Sequence, residues 1–387
     1  MPLEARFHSR LSDIDAVAWD RLRPDDNPFL AHAFLSGLET SGSLRADYGW
    51  RAHHLGLYEN GELIAAAPLY LKGNSHGEFV FDWAWADAYE RAGLRYYPKL
   101  LGAVPYSPVS GARLLTKPGV DAIALRRSLI DAIAGEVERY GLSSAHVNFI
   151  AEDETQALRD AGWLARFDWQ FHWKNDASGA GTWQTFDDFL AALNHKKRKN
   201  IRAERAQVAR ARIVCELRHG GELDAGEWHA IHQLYLRTFE ERGNHPALTE
   251  EFFRYLGAAM PDQIVAVLCR LDGRVVAMAL MLRSSTTLYG RYWGSEIEAP
   301  GLHFEACYYQ GIEYCLRERL TTFEPGAQGE HKIARGFLPA RTSSYHYIAE
   351  PRFRIAVRDA LAREAAALDD YRAELMTHSP YAAAPPR

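Results

Sequence analysis

At 387 residues the chain is too long for one ordinary small domain and fits two of roughly 190. With 47% hydrophobic and 25% charged residues, and 17 scattered Pro, it has the balance of a soluble globular chain rather than a disordered one. No run reaches the ~20 apolar residues of a membrane helix, MPLEARFHSR lacks a signal-peptide core, and Cys215, Cys269, Cys307 and Cys315 show no CxxC pair, so the expectation is a reduced cytoplasmic protein without a disulfide framework or zinc site.

In chain order, helices are expected near Asp13–Leu22 and Ala33–Thr40. The run HHLGLYENGELIAAAPLYL (53–71) then reads as two apolar strands around an Asn-Gly turn, the signature of a type I′ hairpin. A strand over Glu78–Trp83, a long loop, a helix over Asp121–Tyr140 and a strand over Ala145–Ile150 follow. Polar, Gly-rich NDASGAG (175–181) reads as a linker, and Thr185 as a helix start. His195–Arg212 holds eight Lys/Arg and one Glu, a local +7 that leaves −12 for the rest of a chain with net charge −5. This stretch reads as a helix with Phe189, Leu193 and Ile201 inward and Arg198, Arg202 and Arg205 in an outer stripe. Such a stripe suits phosphates of a cofactor, RNA or lipid head group; the plainer alternative is a solvated face.

Helices are expected over 227–242 and Glu250–Ala259. VAVLCRLDGRVVAMALMLR (265–283) then echoes the first hairpin with an Asp-Gly turn. Setting Gly61 on Gly273, an offset of 212, aligns Leu63, Ile64, Ala65 and Ala67 with Val275, Val276, Ala277 and Ala279. A strand over 286–294, a helix over His303–Arg319 and a strand over Thr322–Glu324 complete the series, and the tail 378–387 reads as disordered. Helix, helix, antiparallel meander, helix, strand is the order of an acetyltransferase-type α/β domain. Two tandem copies, 1–174 and 182–377, fit the length.

Three segments carry chemistry. FEPGAQGEHKIARGFLP (323–339) sets Glu330, His331, Lys332 and Arg335 within six residues of a Gly/Pro-shaped loop after a strand, which suits proton transfer in a cleft; the alternative is a solvated loop. Around Glu78, Asp82, Trp83, Trp85, Asp87 and Tyr89, acids alternate with aromatics, preceded by His76 and continued by Lys99 and Tyr106 in a long connection. That pattern suits a polar stacking pocket or, equally, an amphipathic strand running into a helix with the aromatics in the core. In the third segment Arg291 and Tyr292 precede a helix on which Glu305 and Tyr309 share a face beside Tyr308. His303 and Cys307 have metal-pair spacing but no third ligand, so no metal is expected. A GxSxG elbow, a Walker A loop, GxGxxG and the [Q/R]-x-x-G-x-[G/A] acetyl-CoA loop are all missing, the last arguing against ordinary acetyl-CoA use.

HxFLxxLExSGS (32–43), PLYLKxxSxGEFVFDWAWADAYER (68–91), YYPKL (96–100), KRKNIRAER (197–205), FEACYYQGIEYC (304–315) and GAQGEHKIARGFLP (326–339) resemble the FemAB-like family over about 30–376. The resemblance implies two tandem GNAT-like (acetyltransferase-like) domains and an N-acyltransferase. The Fem transferases move an amino acid from aminoacyl-tRNA onto a peptidoglycan-precursor peptide and carry an F-K-x-x-F-like segment. His331-Lys332 with Gly336-Phe337 looks like a version of it, which implies a transfer role for Lys332. On this reading the donor is aminoacyl-tRNA or an acyl-CoA thioester, with no tightly bound cofactor. Lys332 or Arg335 would stabilise the oxyanion, Glu330 or His331 would relay the amine proton, and His76, Glu78, Asp82 and Tyr106 would hold the acceptor amine. The rival class is a non-catalytic protein that recognises a cell-wall peptide or nucleic acid.

Overall fold

The computed structural model describes residues 3–177, 182–241, 243, 245–327 and 329–382. The chain forms two compact units: Met1–Asp168 with Arg341–Asp370, and Trp169–Ala340 with Tyr371–Arg387.

In the first unit, Glu4–His8, His54–Glu59, Glu62–Ala67 and Leu115–Thr116 form a four-stranded antiparallel sheet. Trp50–Ala52, Leu69–Lys72, Lys99–Gly102, Ser144–Val147 and the end of the Leu338–Ile348 strand form a second ladder. Lys99–Gly102 and Ser144–Val147 run parallel, which demands a crossover. The Ala122–Tyr140 helix supplies it, started by the Asp121 carboxylate accepting from the Ile123 and Ala124 amides and stopped by Gly141 in the left-handed region. Its buried stripe of Leu125, Leu129, Ile130, Ile133 and Val137 packs with Leu100, Ala145 and Val147.

The second unit repeats this plan. Val214–His219, Ile264–Leu271, Arg274–Arg283 and Thr287–Ser295 are antiparallel, then Thr322–Glu324 lies parallel to Thr287–Ser295 and antiparallel to the Leu164–Lys174 strand. The crossover here is Leu302–Phe304, a π-helical turn Glu305–Tyr309, and Gln310–Arg317.

The internal echo extends to backbone detail. Asn60 and Gly61 (φ 53° and 83°) and Asp272 and Gly273 (φ 49° and 83°) place both turn residues in the left-handed region, as a type I′ turn requires. Each hairpin carries its register shift at the same place, between Leu57 and Tyr58 in one and between Cys269 and Arg270 in the other. These positions are again 212 apart. A bulge is a built feature of a strand pair, so its recurrence supports a repeat more strongly than the apolar matches do.

Other expectations need correction. Glu78–Trp83 is not a strand; Trp83–Arg91 is a helix. The alternating acids imitate period two, whereas the packed positions are Trp85 and Tyr89, one helical turn apart. The strands Leu164–Lys174 and Leu338–Ile348 and the Pro351–Thr377 helix were not read from the sequence. Residues 341–370 group with the first unit rather than within 182–377, because Tyr345 and Ile348 lie in its cores. Of the supposed disordered tail, 378–382 are ordered. The Asn194 amide donates to Pro380 O, the Tyr381 hydroxyl donates to Gly336 O at 2.7 Å, and the Tyr381 ring stacks on Trp183. Residues 383–387 and most of the linker (178–181) lie outside the described residues. Among the described residues no helix is long and apolar enough to cross a membrane.

Candidate active site

In the second unit the parallel pairing of Thr287–Ser295 with Thr322–Glu324 lasts three residue pairs, ending at Tyr289 and Glu324. Beyond it Gly290 and Pro325 remain close together, and the chain after Pro325 leads to the Glu330–Arg335 turn. Gly290 serves this close approach, since a Cβ there would sit 3.2 Å from Pro325 Cα. The side chain of the next residue, Arg291, is only 3% exposed. Its Nη1 donates to Gly290 O (2.7 Å), and Nη2 lies 4.0 Å from Glu324 Oε2. Burial lowers its pKa, with the Glu324 carboxylate opposing.

Lys332 sits on the 3₁₀ turn Glu330–Arg335 and is only 3% exposed. Among the described residues its ammonium donates one hydrogen bond, to Gly326 O at 2.8 Å. Burial brings its pKa down to about 8, and Arg291 pushes the same way. His172 faces the same region from the Leu164–Lys174 strand, with Nε2 on Gln170 Oε1 at 3.1 Å. Burial, then Lys174, Arg291 and Lys332, lower it to about 3. This histidine escaped the sequence reading. The signal was present in FDWQFHWK, where Gln170, His172 and Lys174 alternate with Phe171 and Trp173, both in the core.

Beside Lys332, the Tyr308 hydroxyl and His331 Nε2 are hydrogen-bonded at 3.0 Å. His331 is itself exposed, and partial desolvation, then Lys332 and Arg335, lower its pKa and so favour the neutral imidazole. Burial raises the Tyr308 phenol. His303 lies against Tyr308 (ring centroids 5.4 Å) and also lines a cavity of about 650 Å³ with Trp293, Arg237, Glu241, Glu296 and Glu298.

Other residues from the same motifs hold the unit together. Arg335 donates from Nε to the Tyr309 hydroxyl (3.1 Å) and from Nη2 to Glu204 Oε1 (2.6 Å), and stacks over Phe304. With its donors engaged, it latches the loop to the basic helix. Glu330 is exposed and accepts from the Tyr371 hydroxyl at 2.5 Å. Tyr292 packs edge-on to Tyr235 and against Phe253.

The basic segment forms the His195–Arg210 helix with Ile201 buried, while Phe189 and Leu193, also buried, belong to the separate Phe186–Ala192 helix and its cap. The outer arginine stripe does not form. Arg205 bridges Glu305 (3.0 Å) and Glu313 (2.6 Å), so Glu305 is a structural ion-pair partner. Arg198 leans on Ala191 O (3.3 Å), and exposed Arg202 is 3.5 Å from Asp187. Helical spacing put three guanidiniums on one face but could not show that Glu305 and Glu313 meet one of them.

In the first unit, Glu78 (2% exposed), Asp82 (3%) and Lys99 (1%) come together as a buried ion cluster rather than an open pocket. The Lys99 ammonium donates to Glu78 Oε1 (2.6 Å), Asp82 Oδ2 (2.5 Å) and Ser75 Oγ (3.2 Å). Ser75 and Tyr96 also donate to Asp82. Burial pushes Asp82 upward, but Lys99 and His146 outweigh it and hold its pKa near 2. Next to Asp82, His146 and His346 meet through Nδ1 at 2.6 Å. His76 and Trp83 are exposed neighbours, with rings 4.9 Å apart. Tyr106 caps Trp50 and donates to Ser43 O at 3.3 Å.

Two units, each a hairpin, a further strand, a helical crossover and a parallel strand, define a mixed α/β chain with a tandem GNAT-like fold. The chain belongs to the FemAB-like family, described as peptidoglycan biosynthesis/recognition, which it matches over residues 10–383. Among solved structures it is similar to FemX, with TM-score 0.53 and 12% identity over 92% of this chain and 100% of that one. It is similar also to the C-terminal (DUF2156) domain of a candidate lysylphosphatidylglycerol synthetase from Agrobacterium fabrum, with TM-score 0.53 and 13% identity over 91% of this chain and 96% of that one. At these identities the likeness is one of fold. No curated protein matches the chain.

Proposed function

We propose that this protein is an N-acyltransferase that moves an acyl or aminoacyl group from an activated donor onto an amine, with the chemistry at Lys332 in the second unit. The observation that carries this reading is a buried ammonium with a single acceptor among the described residues, beside a neutral imidazole bonded to a phenol. Amine attack on an ester or thioester carbonyl builds negative charge on the carbonyl oxygen, and a preorganised cation in a poorly hydrated site stabilises that charge. The attacking amine must also lose a proton, which His331 can take with Tyr308 as its partner. The leaving oxygen or sulfur then carries away the electron pair of the broken bond. Arg335 and Glu330, both engaged elsewhere, are assigned no chemical step.

The family description favours a peptidoglycan-precursor peptide as the amine acceptor. The donor is better read as an aminoacyl ester than as coenzyme A. The loop after the Thr287–Ser295 strand carries Glu296 and Glu298 into the 650 Å³ cavity, and carboxylates there repel a pyrophosphate. Lys196, Lys199 and Arg202, exposed on the basic helix, offer contacts to an RNA backbone. The test offers the protein a mixed, radiolabelled aminoacyl-tRNA pool and, separately, labelled acetyl-CoA, each with a peptidoglycan-precursor pentapeptide. Label transfer from tRNA that is lost in Lys332→Met supports the reading. Binding of the peptide without transfer from either donor overturns it in favour of a recognition protein.

A further inference from the structure

We propose that Cys215 and Cys269 form an oxidisable dithiol, a modification site at which a peroxide or a small-molecule disulfide staples the edge of the second unit's sheet. The inference is independent of the proposed transfer activity. Cys215 lies on the Val214–His219 strand and Cys269 directly opposite on Ile264–Leu271. Their Sγ atoms are 3.4 Å apart. Directly opposed residues of an antiparallel pair have Cα atoms about 4.5–5.5 Å apart, inside the span of about 4.4–6.8 Å that a disulfide bridges. The pair therefore lies within bridging span, and its Sγ atoms need to close from 3.4 Å to about 2 Å.

The two thiols have different access. Cys215 is half-buried on an edge strand, while Cys269 is fully buried. The hydrogen bond to Cys215 raises the Cys269 pKa, which keeps that sulfur protonated. Cys215 is thus the sulfur an oxidant reaches first. Its sulfur takes oxygen from hydrogen peroxide to give a sulfenic acid and one water. The Cys269 thiol then attacks it as its proton passes to the departing hydroxyl, forming the S–S bond and expelling a second water. Two thiols and one peroxide give one disulfide and two waters. With a small-molecule disulfide, two exchange steps release two small thiols instead.

The staple closes a loop between residues 54 apart in sequence. Among the described residues, the strand it ties is paired on one side only, at the edge of the second unit's sheet. It begins just after the helix that carries Glu204, the partner of Arg335. Oxidation therefore fixes an edge that would otherwise fray, and raises the unfolding temperature.

The experiment treats the full chain with graded hydrogen peroxide, and separately with oxidised glutathione, then counts thiols in denaturant and maps a non-reducing digest. The expected result is a fall from four thiols to two that dithiothreitol reverses. One peptide pair joins Cys215 to Cys269, and the unfolding temperature rises in the oxidised form of the parent but not of Cys215→Ser or Cys269→Ala. Thiol loss of equal extent in those variants, linkage through Cys307 or Cys315, or survival of all four thiols at peroxide levels that oxidise free cysteine would each overturn the proposal.

Discussion

Acidification from pH 7 to pH 5 should destabilise the second unit through His172. The side chain is buried, with a folded pKa of about 3 against an ordinary value of 6.5. At pH 7 the residue is neutral whether folded or not. At pH 5 the unfolded chain binds a proton on this imidazole and the folded chain does not, so the proton pulls the equilibrium toward unfolding. The stability contributed by the neutral histidine is fully present above about pH 6.5 and is lost as pH falls. Over the 1.5 units between 6.5 and 5 the loss is about 2 kcal/mol. His172→Gln keeps an N–H donor near Gln170 Oε1 and does not titrate. Urea unfolding of parent and variant at both pH values and constant ionic strength isolates the contribution, because every other titrating group cancels in the difference. The variant should lose about 2 kcal/mol less than the parent between pH 7 and pH 5. Equal losses in the two proteins would refute the assignment of His172 as a buried neutral base.

Lys332→Met should lower transfer by about 10²-fold with the fold intact by circular dichroism, as removal of one oxyanion donor does. With a folded pKa of about 8, the Lys332 ammonium is lost as pH rises, so transfer should decline above pH 8, and a rate still climbing at pH 9.5 would exclude a cationic role. Lys99→Met should cost about 3–5 kcal/mol in urea unfolding, because it leaves the buried Asp82 carboxylate beside Glu78 without its cation. A loss below 1 kcal/mol would show the cluster to be hydrated. Gly294→Ala would place a Cβ 2.2 Å from the Leu234 carbonyl oxygen, a backbone atom that cannot rotate away. It should cost about 1–3 kcal/mol or more, read as a lowered unfolding midpoint.

The sequence by itself determined the local elements and their repetition. Asn60-Gly61 and Asp272-Gly273 can do little else than turn between apolar runs. Asp121 and Gly141 bracket the first crossover helix, and Glu250–Ala259 and Thr322–Glu324 come out with the limits read from their patterns. These features rest on backbone preference and short-range periodicity, which neighbouring residues alone dictate. Membership of the FemAB-like family was legible for the same reason, in contiguous motifs. What only the tertiary structure decided was the partner of each charged side chain. Arg202 and Arg205 are neighbours on one helical face, yet Glu305 and Glu313 meet only Arg205. Glu78 and Asp82 read as a pocket wall, but Lys99, 17 residues beyond Asp82, draws both into the interior. His172 carried no motif and came beside Lys332 because two strands distant in sequence, Leu164–Lys174 and Thr322–Glu324, pair edge to edge. An ionisable residue's role depends on which charges and how much water surround it. That environment is assembled by contacts between distant segments, so the site chemistry could be nominated from the sequence and assigned only from the fold.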